Sequence, residues 1–384
     1  MNIGIVCYPT FGGSGVVATE LAKGLALNDH NVHIISYARP ARLDTFQTNI
    51  SYHEVSIRTY PLFEFPPYAL ALANQIANLI EYEQLDVLHV HYALPHATSA
   101  YLAKQIMGEK GKHIPIITTL HGTDITLVGN DPSYKRVVNF SIGQSDGVTA
   151  VSNYLRKLTL DQFDIDKPIE VIPNFIDLDR FKRSNKQHFK KAICPNGEKV
   201  VVHVSNFRKV KRVPEVITVF NRILEAGIEA KLLLVGDGPD RQKTEDQCRE
   251  LGICDHVRFL GKQEQVAEVL SISDLFLMPS GSETFGLAAL EALSCSVPVI
   301  SSKVGGLPEV LEHGKSGYLC ELDDVDCMSK HAVEILGNEK VFNRMSKNAR
   351  KRAEHFELKK IIGQYEKFYE GCMQNLKEKV GVGS

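Results

Sequence analysis

Two rhythms alternate along the chain. Short apolar, β-branched runs occupy residues 3–8, 31–37, 86–91, 114–119, 147–151 and 169–172, with helical patterns between them at 14–28, 67–84, 95–107 and 152–161. The strand rhythm restarts at 199–205, 230–235, 256–260, 274–279 and 297–301. Continuously apolar strands joined by helical crossovers are the strands of parallel sheets covered on both faces. Two such series predict an α/β chain of two doubly wound, Rossmann-like domains. The charged, weakly periodic stretch 173–198 marks the seam, giving domains at 1–172 and 173–361. The tail at 339–379 is a charged helical pattern without a strand, and its last helix, about 362–384, is expected to pack back on the first domain.

Bulk properties change this picture little. A length of 384 residues exceeds one typical core, and 43% hydrophobic with 23% charged residues is the ordinary globular mixture. A net charge of -2 gives no general reason to expect nucleic acid or an anionic membrane as partner, so any basic site is local. No apolar run reaches membrane-span length, and the N-terminus enters a strand without a basic leader, which points to the cytoplasm. The eight cysteines are scattered, form no C-x-x-C, and read as small buried residues of a reducing compartment. Oligomeric state is left open, and a homo-oligomer is compatible with everything above.

In doubly wound folds ligands gather outside the carboxyl ends of the strands, so residues just after strands carry the chemistry. The first such loop lies in YPTFGGSGVVATELAKGLA (8–26), where Gly13, Gly15 and Ala18 fit the dinucleotide pattern G-x-G-x-x-A. That pattern wants an acid at the end of the second strand, yet NVHIISY runs into Ala38-Arg39-Pro40. An NAD(P)-dependent oxidoreductase is therefore a minor alternative, kept only because Arg39 suits NADP. The glycines still let backbone approach an anion at a helix start.

The second half is more informative. In LMPSGSETFGLAALEALSCSVPVI (277–300) a strand ends at Pro279 and a helix is expected from Thr284. Glu283 and Glu291 would then lie about 12 Å apart along the axis at roughly 1.5 Å per residue. That exceeds the about 5 to 9.5 Å of a glycosidase acid/base pair, and suits the two ends of an extended ligand such as a nucleotide sugar. The amides of Thr284, Phe285 and Gly286 would face an anion. In HVSNFRKVKRVPEVI (203–217), Arg208, Lys209, Lys211 and Arg212 leave a strand end together, as a diphosphate requires. LVGDGPD (234–240) adds another strand-to-helix loop at Gly236.

Metal readings are weaker. His89 and His91, with His96 and His121 nearby in kind, read as packed or hydrogen-bonded histidines, since no carboxylate stands at matching spacing. The D-x-D pairs Asp164/Asp166 and Asp177/Asp179 lie in loops away from the carboxyl-end motifs. No G-x-S-x-G elbow, Walker A loop or H-E-x-x-H is present.

The order N-x-R-x-x-K-R, V-G-D-G-P, S-E-T-F-G-L-x-x-L-E-A, together with YPLFEFPPYALALA, HVHYALPHA and TLHGTDITLVGNDPSY, resembles the retaining GT-B glycosyltransferases of family 4. The likeness spans nearly the whole chain. It implies two Rossmann-like domains facing across a cleft, an N-terminal one for the acceptor and a C-terminal one for the nucleotide sugar. The first-half motifs imply transfer of N-acetylglucosamine from UDP-N-acetylglucosamine to the hydroxyl of L-malate, the opening step of bacillithiol synthesis, with no metal. The same fold with inositol phosphate or a lipid headgroup as acceptor is the alternative, though the chain has no Trp and no basic amphipathic helix with apolar anchors.

The resemblance also implies roles. Glu291 matches the ribose ligand, and Glu283 with the 284–286 amides matches the grip on the sugar and its phosphate. Arg208 and Lys211 match the pair that neutralises the diphosphate, although Lys209 and Arg212 remain open as the second member. His121 matches a histidine beside the sugar and acceptor, and Gly13 and Ser14 match the loop nearest the diphosphate. For the acceptor carboxylates the candidates are Ser14, Tyr92, Thr119 and Asn153, with Thr123, Arg39 and Arg42 also near strand ends. Tyr92 is preferred because it follows HVH directly at a strand end.

Overall fold

The computed structural model describes residues 1–10, 12–43, 46–57, 64–184 and 187–381. Phe11 of the glycine loop and residues 60–63 of YPLFEFPPYALALA lie outside them. The chain forms two compact units, Met1–Asn174 with Leu358–Ser384, and Phe175–Glu357.

The first unit runs β1 (Asn2–Val6), α1 (Ser14–Leu27), β2 (Asn31–Ser36), β3 (Ile50–Glu54), α2 (Tyr68–Tyr82), β4 (Val87–His91), α3 (Thr98–Gly108), β5 (Ile116–Leu120), α4 (Pro132–Gln144), β6 (Gly147–Ala150), α5 (Asn153–Gln162) and β7 (Ile169–Val171). The second runs α6 (Gln187–Ile193), β8 (Lys199–Val204), α7 (Val213–Glu225), β9 (Ala230–Val235), α8 (Arg241–Glu250), β10 (Val257–Gly261), α9 (Val266–Ile272), β11 (Leu275–Met278), α10 (Leu287–Ser294), β12 (Val299–Ser302), α11 (Leu307–Val310), β13 (Gly317–Cys320), α12 (Val325–Gly337) and α13 (Glu339–Ala353). The last helix, α14 (Leu358–Gly381), belongs to the first unit, where Ile361, Ile362, Tyr365 and Tyr369 are buried. It packs close to α1, because a Cβ on Gly24 would stand 2.5 Å from Ile362 Cδ1.

Both sheets are parallel throughout, with orders β3-β2-β1-β4-β5-β6-β7 and β10-β9-β8-β11-β12-β13. Each order reverses direction once, between β1 and β4 in the first unit and between β8 and β11 in the second. Those switch points splay the flanking loops apart at the strands' carboxyl ends, which opens a crevice there. The helices that cover the sheets show why the sequence folds so. On α7 the buried Val213, Val216, Ile217, Phe220 and Ile223 recur at helical spacing on one face, and Pro214 sits in the first turn, where its missing N–H costs nothing.

Three expectations need correcting. Strands β3 and β13 were not anticipated, and both are edge strands with short patterns. Helix α4 was also not anticipated, since it buries only Val138, Ser141 and Ile142. The cysteines are not all free buried thiols: Cys320 at the end of β13 is bonded to Cys327 in the first turn of α12, and Cys254 is exposed.

Candidate active site

At the switch point of the second unit, β8 ends at Val204 and the chain turns through a single 3₁₀ turn, Lys209–Lys211, before α7. Arg208 is the extended residue immediately before this turn, and Lys211 is its last residue. The amide of Lys211 donates to the Arg208 carbonyl at 2.7 Å, closing the turn. Arg212 faces elsewhere, held by the carboxylates of Glu215 (2.5 Å) and Asp323. Lys209 is exposed. Lys211 Nζ meets Glu283 Oε1 at 2.5 Å, and both side chains are largely shielded, 21% and 11% exposed. This ion pair joins the loop after β8 to the loop after β11, across the switch point. Gly281 N–H donating to the Val210 carbonyl at 2.7 Å fixes the same two loops backbone to backbone.

A buried histidine sets the approach. The Nδ1–H of His203 donates to the Leu277 carbonyl at 2.8 Å, so its Nε2 accepts from the Ser205 hydroxyl, also 2.8 Å away. Ser205 Oγ in turn accepts the Phe207 N–H at 3.2 Å. The cation-bearing turn is thus tied to β11 as well as to its own strand.

Glycines supply the remaining walls by close approach. A Cβ on Gly236, at φ +123, would sit 1.7 Å from the Ser205 carbonyl oxygen. A Cβ on Gly305, at φ +56, would sit 1.8 Å from the Glu283 oxygen, and Gly306 N–H donates to that oxygen at 2.9 Å. No side chain fits at either place, so the loops after β9 and β12 press backbone against the loops that carry the charges. The Gly305-Gly306 step was missed from sequence, although a Gly pair just after the strand VPVIS was a readable signal.

The helix start assumed for the Glu283 segment is corrected. Helix α10 begins at Leu287, with Gly286 as its left-handed N-cap at φ 99. Glu283 therefore stands outside the helix, and the axial spacing of about 12 Å from Glu291 does not apply. Glu291 lies in α10 and is buried. Phe285 faces the core, edge-on to Phe356 at 5.6 Å between centroids, so only its backbone is available to a ligand. Thr284 is half-buried in the loop between.

In the first unit the switch-point loops are those after β1 and β4. Gly13 caps α1 at φ 62, ψ -131, a conformation closed to other residues, and no neighbour among the described residues lies within 4 Å of its missing Cβ. Gly15 answers a different need, since a Cβ there would stand 2.5 Å from the Tyr8 carbonyl. Ser14 is buried at the first position of α1. Tyr92, immediately after β4, holds φ 88, a strained position for a non-glycine residue. Its ring lies 5.4 Å from those of both His121 and Tyr8. Asn153 is exposed at the first position of α5, after the cap residue Ser152.

Behind Tyr92 lies a buried polar network. His91 and His121 meet at 2.8 Å, His96 Nδ1–H donates to the His91 carbonyl at 2.5 Å, and His89 joins Tyr369 Oη (2.7 Å) and Thr119 Oγ1 (2.6 Å). Thr119 was expected to meet an acceptor directly. Instead it is fully buried, and its hydroxyl is shared between His89 and Thr149 Oγ1, also 2.6 Å away, so it supports the histidines. Asp124, which sequence reasoning missed, accepts from the amides of Gly122, His121 and Ala93 at 2.8, 3.3 and 3.3 Å. It locks the loops after β4 and β5 together. Of the D-x-D strings, Asp177 accepts from the amides of Asp179 and Arg180, a local turn.

Burial holds these imidazoles neutral, at about 3 for His89 and His121 and about 4 for His96, against an ordinary 6.5. Unfolded, each takes a proton near 6.5, so below that pH the unfolded chain binds more protons and stability falls until about pH 3. Asp124 acts oppositely, because burial raises it to about 6 and its extra folded-state proton favours folding at acidic pH. Three depressed imidazoles outweigh one raised carboxyl. Melting temperature is expected to drop by several degrees between pH 7 and pH 5, and a flat or rising profile by calorimetry would contradict this.

Comparisons with known proteins agree with the geometry. The family described as "Glycosyltransferase Family 4" matches residues 11–180, and "Glycosyl transferases group 1" matches residues 184–352. The chain is 48% identical over 372 residues to the N-acetyl-alpha-D-glucosaminyl L-malate synthase of Bacillus anthracis, covering 96% of each chain. It is 25% identical to the D-inositol 3-phosphate glycosyltransferase of Saccharomonospora viridis, over 81% of this chain and 76% of that one. Among solved structures, Anabaena HepE in complex with UDP and glucose superposes with TM-score 0.81 at 19% identity, covering 96% of this chain and 99% of that one. With a matching family on each half and a near-full-length relative at 48% identity, the chain belongs to glycosyltransferase family 4 and has the GT-B fold.

Proposed function

We propose that this glycosyltransferase moves N-acetylglucosamine from UDP-N-acetylglucosamine to the hydroxyl of L-malate, retaining configuration at the anomeric carbon and needing no metal. The observation that carries this reading is the 48% identity, over 96% of both chains, to a relative named for that product. The reaction opens bacillithiol synthesis, and its co-substrates are small cytoplasmic metabolites, which sets the enzyme there. Among the described residues no helix is long and apolar enough to cross a membrane.

In this reading the second unit takes the donor. Arg208 and Lys211 neutralise the diphosphate, Glu283 and the 284–286 backbone hold the sugar, Glu291 binds the ribose, and Gly236 lets the backbone close on the nucleotide. The first unit takes the acceptor, with Gly13 and Ser14 nearest the diphosphate, His121 beside the sugar, and Tyr92 and Asn153 toward malate. His121 is neutral and lies against Tyr92, which suits a hydrogen-bonding role rather than a charged one. The malate oxygen attacks the anomeric carbon on the face from which the phosphate oxygen departs. The carbon–phosphate-oxygen bond breaks through an oxocarbenium-like state, and the departing phosphate oxygen accepts the hydroxyl proton. No protein base is consumed. The protein's main contribution is fixed positive charge where negative charge develops.

UDP release assayed with L-malate, inositol phosphate and a lipid headgroup is expected to be fast with malate alone. Comparable turnover with inositol phosphate would shift the reading toward that acceptor. Because Arg208 and Lys211 supply the charge, EDTA is expected to leave turnover within about twofold. A large loss restored by Mn²⁺ would overturn metal independence.

A further inference from the structure

One group of metal-ligand side chains lies outside everything described above. His33 is the third residue of β2 and His53 the fourth of β3, and Glu83 caps the C-terminus of α2. The register pairs Ile35 with His53, so the two histidines stand diagonally on adjacent strands. Side chains alternate between sheet faces, which puts His33 with Ile35 and His53 with Val55. Ile35 and Val55 pack in the same core cluster as Leu72, Ile76, Leu79 and Ile80 of α2. The histidines therefore continue the α2 face of the sheet to where that helix ends, and Glu83 closes it.

The three offer one ligand atom each, all within 4.8 Å of one another. His33 Nδ1 and His53 Nε2 are 3.0 Å apart, and the rings are stacked at 5.2 Å between centroids. Two nitrogens bound tetrahedrally to zinc at about 2.0–2.1 Å would be roughly 3.3 Å apart, a small ring rotation away. His33 is buried, His53 half-buried and Glu83 exposed, so the group is preorganised on one side and reachable from the other. Glu83 has no ion-pair partner among the described residues. The carbonyls ending α2 place partial negative charge at the same spot, which favours a cation.

We propose that His33, His53 and Glu83 form a zinc site, with a fourth position open to solvent, that fastens the edge strand β3 to β2 and to the end of α2. Two imidazoles and one carboxylate are a borderline nitrogen/oxygen set of the kind that prefers Zn²⁺ to Mg²⁺ or Ca²⁺. None of the three is among the residues assigned to transfer, so the ion is structural.

The test uses the full-length, untagged protein, stripped with a chelator and titrated with Zn²⁺ against a chromophoric competitor. One Zn²⁺ per chain is expected, with a dissociation constant on the order of micromolar or tighter, and saturating zinc should raise the melting temperature by a few degrees. Glu83→Gln and His53→Gln, both changes away from the fully buried interior, should keep the far-ultraviolet circular dichroism and weaken binding at least about tenfold. Transfer rate should be the same with zinc or chelator. No binding at tens of micromolar Zn²⁺, or equal binding by both variants, would overturn the proposal.

Discussion

Arg208→Ala is expected to lower kcat by about 10²–10³, with a smaller change in the KM for UDP-N-acetylglucosamine. Removing one preorganised group aimed at developing charge costs roughly 3–4 kcal/mol of barrier. Arg208 is exposed at the carboxyl end of β8, outside the core, so the fold should tolerate the change. Lysine at this position should recover only part of the rate, since a point charge replaces a planar fork. Steady-state kinetics with the melting temperature monitored would decide. Near-full turnover in Arg208→Ala would remove this residue from the mechanism.

The second large effect concerns the Lys211–Glu283 pair. Lys211→Ala and Glu283→Gln should each lower kcat/KM by on the order of 10², because each loses a donor contact and leaves the other member shielded without its partner. The two lie in contact, so the double variant should be far less impaired than the product of the singles. A pair that merely joined the loops after β8 and β11 would behave differently. Its loss would lower the melting temperature while kcat/KM per folded molecule stayed unchanged.

What could be read from the letters follows physical lines. Interior strands of a parallel sheet are apolar on both faces, so β1, β2, β4, β8, β9 and β11 stand out as runs. The edge strand β3, ISYHE, is only partly buried and shows little of that signal. The edge strand β13 is four residues long. Local charge clusters such as Arg208 to Arg212 were visible, but the division of labour within them was not. It depends on a 3₁₀ turn and on Asp323, 111 residues further along. Thr119 looked available at a strand end, and its burial follows from Tyr365 on α14 and Thr149 on β6, partners that only the packed unit brings together. His33, His53 and Glu83 were invisible for the same reason, since strand register and a helix end assemble them.

The most direct test of the central claim is the product itself. The purified enzyme should be incubated with UDP-N-acetylglucosamine and L-malate, and the product examined by mass spectrometry and proton NMR. A single adduct is expected, with the mass of N-acetylglucosamine joined to malate less water and the small anomeric coupling of an α-linkage. Free N-acetylglucosamine as the only sugar product, or a β-linked adduct, would contradict it.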